Sequence, residues 1–140
     1  ARVKLDKDVT AADIASANLV FWGDDQANSV WARIADKLPL RYQGESLVVG
    51  SGDVERKFAA EHHAPIQIYP NPLNGDRYVV TNSSFTFREY AYLNNARQIP
   101  MLPDWAVVDL RQKPDAIRPG KIAEADFFGE QWEVRPSHEE

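Results

Sequence analysis

The chain alternates short apolar runs with a stretch in which apolar residues recur at helical spacing. Residues 19–22 form a continuous apolar run that ends at Gly23, which is typical of a strand covered on both faces. A helix over residues 26–38, capped by Asp24 or Asp25, is predicted because the following apolar positions repeat every three or four residues up to Pro39. Those positions are Val30, Trp31, Ile34, Ala35 and Leu38.

Further apolar segments predict four more strands and one aromatic helix. The strands are expected at residues 47–49, 65–69, 77–81 and 105–110, and the second and third of them are separated by a loop rich in turn formers. A capping box formed by Thr86 and Glu89 begins a predicted helix over residues 85–97. Residues 54–63 give a weaker helix prediction because their polar positions are not segregated to one face.

The strand, glycine turn and helix over residues 18–38 are the usual start of an α/β sheet. We therefore expect a three-layer α/β sandwich with a mixed, mostly parallel sheet of flavodoxin or Rossmann-like order, covered by the helices at 26–38 and 85–97. Residues 1–17 are expected to form an N-terminal segment with a short helix capped by Thr10 and Asp13, residues 18–112 the α/β core, and residues 113–140 an aromatic C-terminal wrap and tail. Together they are expected to make one domain.

Composition restricts the classes of partner. The chain has 140 residues, 44% of them hydrophobic, which suffices for one core. A net charge of −5, with no run among the 16 basic residues, argues against nucleic-acid binding. Membrane insertion is not expected because no apolar run approaches the roughly 20 residues that span a bilayer. The chain begins at Ala1, and its single methionine is Met101; we interpret it as a segment of a longer protein.

The sequence carries no motif for a cofactor or for catalysis. It lacks the glycines of a dinucleotide turn, the Lys-Ser/Thr of a P-loop and the Gly-x-Ser-x-Gly of a serine elbow. The absence of cysteine excludes disulfides and thiolate ligands. No metal site is expected at His62 and His63, since adjacent side chains point apart. Catalytic residues, cofactors and metals are therefore all predicted to be absent.

Polar residues nevertheless gather where the predicted strands end. In open α/β sheets, ligands bind outside the carboxyl ends of strands, so these residues form a candidate site for a small polar ligand that is not strongly anionic. The alternative is that they serve only as turn and helix-cap residues. The candidates are Gly23, Asp24, Asp25, Gln26, Asn71, Asn82, Ser83 and Ser84.

A second candidate surface lies on the predicted aromatic helix. Arg88, Tyr92 and Asn95 could form a docking interface on it. The alternative is an ordinary helix with surface salt bridges and a tyrosine-lined inner face.

Six short sequence segments, which follow one another in a fixed order, carry a family resemblance over roughly residues 2–132. Residues 18–28, 34–39, 68–74, 77–83, 86–89 and 92–95 resemble the C-terminal extension of large secreted bacterial hydrolases of the prolyl oligopeptidase type. The resemblance implies a catalytic α/β-hydrolase domain linked covalently in the same polypeptide, and an exported, secreted or periplasmic host protein. It carries no catalytic residue over to this chain.

The expected function is therefore that of a non-catalytic accessory domain of a secreted serine peptidase or esterase, which positions substrate or stabilises the host enzyme. The alternative is a small free-standing hydrolase or ligand-binding protein that uses Asp24, Asp25 and the Asn/Ser residues at the strand ends. A carboxylate with a perturbed pKa in a closed pocket would favour the alternative.

Overall fold

A computed structural model describes residues 2–83, 103–113 and 121–137. Within them lie two short α-helices, α1 (Ala11–Ser16) and α2 (Ser29–Ala32), and 3₁₀ turns at Asp6–Asp8, Ala35–Lys37 and Gly52–Val54. The strands, in chain order, are β1 (Leu19–Trp22), β2 (Leu40–Gln43), β3 (Ser46–Val49), β4 (Arg56–Ala59), β5 (His63–Asn71), β6 (Asn74–Asn82), β7 (Trp105–Asp109) and β8 (Lys121–Asp126).

The strands form two sheets. The larger has the order β1-β6-β5-β7-β8, and only its β1–β6 pair is parallel. The smaller is the antiparallel meander β2-β3-β4. Strands account for 41% of the described residues and helices for 17%, so this part of the chain is β-rich.

The expected three-layer α/β sandwich of flavodoxin or Rossmann type is therefore wrong. A mostly parallel sheet needs a helical crossover between consecutive strands, whereas the β5–β6, β5–β7 and β7–β8 pairs are all antiparallel. The strands predicted near 19–22, 47–49, 65–69, 77–81 and 105–110 do form, and the error lies in how they are connected. The helix predicted at 85–97 lies outside the described residues.

The helix predicted over residues 26–38 is mostly replaced by turns. Asn28, and neither Asp24 nor Asp25, caps α2 by accepting from the amides of Val30 and Trp31 at 3.1 and 3.0 Å. The helix ends after four residues because Ile34 leaves the helical region, with φ −123° and ψ −5°. Branched and aromatic side chains favour helix only weakly, so the correct apolar spacing did not ensure a continuous helix.

The weak helix prediction over residues 54–63 is wrong as well. Those residues contain β4 and the start of β5, joined by a turn in which the amide of His62 donates to Ala59 O at 3.2 Å. The capping box at the N-terminus is confirmed: Thr10 caps α1, and Asp13 reciprocates with the Thr10 amide at 2.8 Å.

The core consists of two clusters of apolar side chains. The strand register places both clusters on the same face of the large sheet. Over the β1–β6 half, the segment around α2 packs Trp31 and Ile34 against Phe21 and Val79. Over the β5–β7 half lies the second cluster, in which the small sheet packs with the C-terminal tail against β7. It contains Leu40, Leu47, Val49, Trp105, Val107, Phe128 and Val134.

A buried glutamine joins the two sheets in the middle of this core. Gln67 on β5 is 1% exposed. Its amide donates to Leu40 O at 2.7 Å and accepts from Leu40 N at 3.1 Å. Since a buried amide without partners would be costly, these two bonds fix β2 on the large sheet.

The aromatic residues of the tail contact the body of the protein, as expected for a tail that folds back. Phe128 is buried and packs edge-on against Tyr69, with ring centroids 5.6 Å apart. The division of the chain at residues 17 and 112 stays a prediction. No helix in the described part of the chain is long and apolar enough to cross a bilayer.

Candidate functional site

The parallel pair β1–β6 brings the ends of two predicted site segments together. Trp22 and Asn82 are register partners at the carboxyl ends of their strands. The turn that begins at Gly23 and the segment Asn82–Ser83 therefore leave the sheet at one edge. We call this edge, which also contains His63 and Asp109, the open end.

Asn71 lies at the opposite edge. It pairs with Asn74 where β5 turns into β6, and we call this edge the hairpin end. The nine residues of β6 separate the two ends by roughly 26 Å. The predicted convergence of Asn71 with the other segments is therefore wrong.

The geometry of Asn71 is that of a turn residue. Its side-chain oxygen accepts from the Leu73 amide at 2.9 Å, which is an Asx turn. The neighbouring Asn74 donates to the carbonyls of Ile14 and Ala15 at 3.0 and 3.1 Å, at the end of α1. Asn71 therefore shapes the hairpin turn, and Asn74 ties the hairpin to the N-terminal helix.

Asp24 shapes the turn at the open end. Its Oδ1 accepts from the amides of Gln26 and Ala27 at 3.0 and 2.8 Å. Gly23 has φ 95°, a conformation that favours glycine. Gly23 and Asp24 therefore form a tight turn after β1, in place of the direct entry into a helix that the sequence pattern predicted.

Tyr42, from β2 of the small sheet, completes the open end. Its hydroxyl donates to His63 O at 3.1 Å. Burial raises the pKa of Tyr42 to about 12, an effect that the Ser83 hydroxyl opposes and that the carboxylates of Asp24 and Asp25 reinforce. Tyr42 is therefore a protonated hydrogen-bond donor at neutral pH, and it feels the charges of both aspartates.

Ser83 is the unusual member of this group. The residue is 2% exposed, and its hydroxyl makes no hydrogen bond of good geometry among the described residues, although it lies close enough to the Tyr42 hydroxyl to lower the pKa of that phenol. A buried hydroxyl without a partner is costly. A donor or acceptor on a small ligand beside Asp24 and Asp25 would remove that cost.

A second polar group at the open end is fully paired. The Asp109 carboxylate accepts from Arg111 Nε at 2.9 Å, from Nη2 at 2.7 Å and from the Arg111 amide at 3.0 Å. This guanidinium, helped by His63 across the strand pair, holds the pKa of Asp109 well below its usual range. Such a carboxylate stays ionised and is not a general acid near neutral pH.

The ring of His63 is also held in place. Its Nδ1 lies 2.9 Å from Ala59 O, so the proton on Nδ1 is donated to that carbonyl. The described residues contain no group of three or more His, Cys, Asp or Glu side chains placed to hold a metal ion. The His63 ring is therefore buried and oriented by its bond to the Ala59 carbonyl.

The sequence-predicted site divides into three parts. Gly23, Asp24, Asp25, Gln26, Asn82 and Ser83 belong to the open end, and Asn71 belongs to the hairpin end. Ser84 and the candidate interface residues Arg88, Tyr92 and Asn95 lie outside the described residues.

Sequence reasoning missed Tyr42, His63, Asp109 and Arg111. Asp109 could have been noticed as the only charged position of an otherwise apolar strand. Tyr42 gave no comparable signal because β2 was not predicted.

Comparison with protein-family models, with curated proteins and with solved structures gave no match for this chain. Any functional conclusion therefore depends on the residues themselves and on the resemblance noted in the sequence.

Proposed function

We propose that this chain is a non-catalytic accessory domain of a secreted serine peptidase or esterase, and that it docks onto the catalytic domain through the outer surface of β1 and of the N-terminal segment. The observation that carries the proposal is the exposure of large apolar side chains on both elements. The family resemblance in the sequence supports the same role.

β1 is an edge strand whose outward face is apolar. Val20 and Trp22 alternate along it and are 52% and 58% exposed. Phe21, on the other face, packs into the core. An exposed apolar edge strand favours association with another polypeptide surface.

The N-terminal segment lies beside β1 and exposes further apolar side chains. Arg2 and Lys4 border, together with residues of β1, a cavity of about 440 Å³. The intervening Val3 and Leu5 are 99% and 62% exposed. We name Val3, Leu5, Val20 and Trp22 the docking surface.

Lys4 fixes this arrangement of polar and apolar side chains. Its ammonium contacts Asp13 Oδ2 at 2.7 Å, so the segment is tied to α1 while Val3 and Leu5 remain outside. A domain joined to the N-terminus would emerge beside the docking surface.

The test compares the 140-residue chain with the intact host polypeptide. Leu5→Asp and Val20→Asp should leave the melting temperature of the isolated chain within a few degrees, because both side chains are already exposed. In the host they should lower thermal stability or activity. Phe127→Asp, at an exposed apolar side chain outside the docking surface, is the matched control.

Hydrogen exchange adds a second measurement. Residues 2–5 and 19–22 should be better protected in the host than in the isolated chain. Equal protection would contradict docking at this surface, and a gene without an adjoining hydrolase domain would contradict the host assignment.

A second function, binding of a small polar ligand at the open end, is favoured by the buried Ser83 hydroxyl, which lacks a hydrogen bond of good geometry to any described residue, and by Tyr42 and the two aspartates at the same end of the sheet. The carboxylates select against phosphate and favour a ligand with hydroxyl or amino groups. Ser83→Ala and Asn82→Ala should weaken such binding with little change in melting temperature. A loss of stability alone would assign these residues to turn structure.

A further inference from the structure

A groove between the C-terminal tail and residues 36–41 is built around a strained tryptophan. Trp132 has φ 64°, and it is the only residue other than glycine with a positive φ among those the structure describes. A bulky side chain rarely adopts this conformation. Such strain persists only where surrounding contacts impose it, and it often marks a functional position.

The surrounding loop holds Trp132 firmly. Its amide donates to Gly129 O at 3.0 Å, and the Gly129 amide donates to Glu133 O at 2.8 Å. The Glu133 carboxylate lies against Gly129, where a Cβ would overlap it, and accepts from the Gln131 amide at 2.9 Å. The loop therefore positions the indole before any ligand arrives.

The indole is only half-buried in spite of this. Its ring meets Tyr69 edge-on, with centroids 6.0 Å apart, and it also contacts Phe128 and Tyr78. Together with Tyr69, Trp132 lines a groove of about 320 Å³. We name this the Trp132 groove. Its volume is at the lower end of the range for small-molecule sites, about 300–1,000 Å³, so it suits one small ring.

The polar lining of the groove is balanced in charge. Lys37 and Arg41 supply two cations, and Asp36 and Glu133 supply two carboxylates. Arg41 is held by a bond from Nη1 to Gly50 O at 3.0 Å. Paired signs disfavour a strongly charged ligand of either sign, because each would face a like charge. They also provide several donors and acceptors for neutral hydroxyl groups.

We propose that the Trp132 groove binds a neutral sugar ring, whose C–H face packs on the aromatic wall while its hydroxyl groups bond to Lys37, Arg41 and Glu133. The site is independent of the docking surface and of the open end. Its ligand needs one apolar face and a polar rim, which is the chemistry of a pyranose.

The test follows the tryptophan indole N–H signals of the 140-residue chain by NMR during titration. The probes are the methyl glycosides of glucose, galactose and mannose, the corresponding free sugars, inorganic phosphate and tetramethylammonium. The chain has four tryptophans, and Trp132→Phe identifies the signal of Trp132. A saturable shift of that signal with at least one sugar, and with neither ion, is the expected result.

Comparison of the glycosides with the free sugars distinguishes the source of the ligand. Tighter binding of a methyl glycoside would indicate a residue linked in a glycan, whereas preference for the free sugar would indicate a monosaccharide. Either result supports the proposal.

Variants connect the shift to the groove. Because Trp132→Ala and Trp132→Phe lack the indole signal, the affinities of all variants are measured by isothermal titration calorimetry. Trp132→Ala should lower affinity at least tenfold, and Lys37→Gln, at an exposed side chain, should lower it several-fold without loss of fold. Phe127→Ala, an exposed aromatic in the same tail segment, should bind as the unaltered chain does. If Trp132→Ala fails to fold, Lys37→Gln and Trp132→Phe carry the comparison.

Three results would overturn the proposal: no shift of the Trp132 signal with any sugar, a shift only with phosphate or tetramethylammonium, or sugar affinity unchanged in both Lys37→Gln and Trp132→Phe.

Discussion

The two ends of β6 carry similar residues and use them differently. At the hairpin end, the Asn71 side-chain oxygen bonds to the turn and Asn74 bonds to α1, while Asn71 Nδ2 is buried without a partner in the described part of the chain. At the open end, the buried Ser83 hydroxyl makes no hydrogen bond of good geometry with the residues described and has Tyr42 as its polar neighbour, which also feels the charges of Asp24 and Asp25. Composition alone does not separate the two ends, because both are rich in Asn and Ser or Asp.

The difference shows that the strand connection decides whether polar residues at a strand end are used in a turn or remain available for binding. An antiparallel connection closes the hairpin end within two residues, so the Asn71 side-chain oxygen bonds within the turn and Asn74 bonds to the nearby end of α1. The parallel β1–β6 pair instead leaves two chain segments diverging at the open end. Substitutions should therefore affect stability at the hairpin end and binding at the open end.

The largest loss of stability is expected from Ile34→Ala, which lies at neither end of β6. It provides the reference against which substitutions at the two ends are compared. Ile34 is fully buried against Phe21 and Val79, so Ile34→Ala should destabilise the fold by about 2–5 kcal/mol. Arg33→Ala, at the exposed neighbouring position, should stay within about 0.5 kcal/mol. Urea unfolding measures both; equal effects would mean that the α2 segment does not cover the β1–β6 half.

The same segment shows how much of the fold could be predicted from its sequence. Its apolar spacing correctly identified Val30, Trp31, Ile34 and Leu38 as buried. Spacing gives the buried face, but it does not ensure that thirteen residues remain in one helix. The capping side chain of Asn28 and the dihedral angles of Ile34 limit the helix to one turn.

Whether neighbouring strands pair parallel or antiparallel was harder to predict from the sequence than the buried face of the α2 segment. Residues 65–69 and 77–81 were correctly expected as strands, but an apolar run of this length fits either a parallel or an antiparallel sheet. The missed strands β2 and β4 flank β3 in a meander. Recognising them would have favoured antiparallel pairing and a β-rich fold.

At the hairpin end, Asn74→Ala should cost about 1–2 kcal/mol, because two carbonyls at the end of α1 lose their donor. Binding of any ligand at the open end should not change. Urea melts and a binding assay on the same variant check both statements. Gln43→Ala, an exposed substitution at the end of β2, is the control, and an effect no larger than that of the control would contradict the structural role of Asn74.

At the open end, Asp109 should make stability depend on pH in the acid range. Because Arg111 lowers its pKa in the folded state, the carboxylate contributes stability that is complete above the unfolded pKa of about 3.9 and is lost as the pH falls further. Asp109→Asn should therefore be less stable than the unaltered chain at pH 7, and the difference should shrink by pH 3. Urea melts at both pH values measure it; a constant difference would contradict the ion pair.

The candidate site was only partly predictable for a related reason. Gly23, Asp24, Asn82 and Ser83 could be placed together because they follow apolar strands. Tyr42 and His63 reach the same end from β2 and from the start of β5, and these positions depend on long-range pairing that one sequence does not display. Asn71 was assigned to the wrong end because the direction of β5 was not known.

The smallest effect on stability should be that of Ser83→Ala. The hydroxyl makes no hydrogen bond of good geometry among the described residues, and its neighbour Tyr42 keeps its bond to His63 O when the hydroxyl is removed. The substitution should therefore change the free energy of unfolding by less than about 0.5 kcal/mol, in either direction. Tyr42→Phe provides the contrast, because it removes a donor from the His63 carbonyl and should destabilise the fold by about 1 kcal/mol. If Ser83→Ala destabilises the chain as much as Tyr42→Phe does, the hydroxyl has a structural partner and the open end resembles the hairpin end. If stability is unchanged but ligand binding or host activity falls, the two ends differ as their topology indicates.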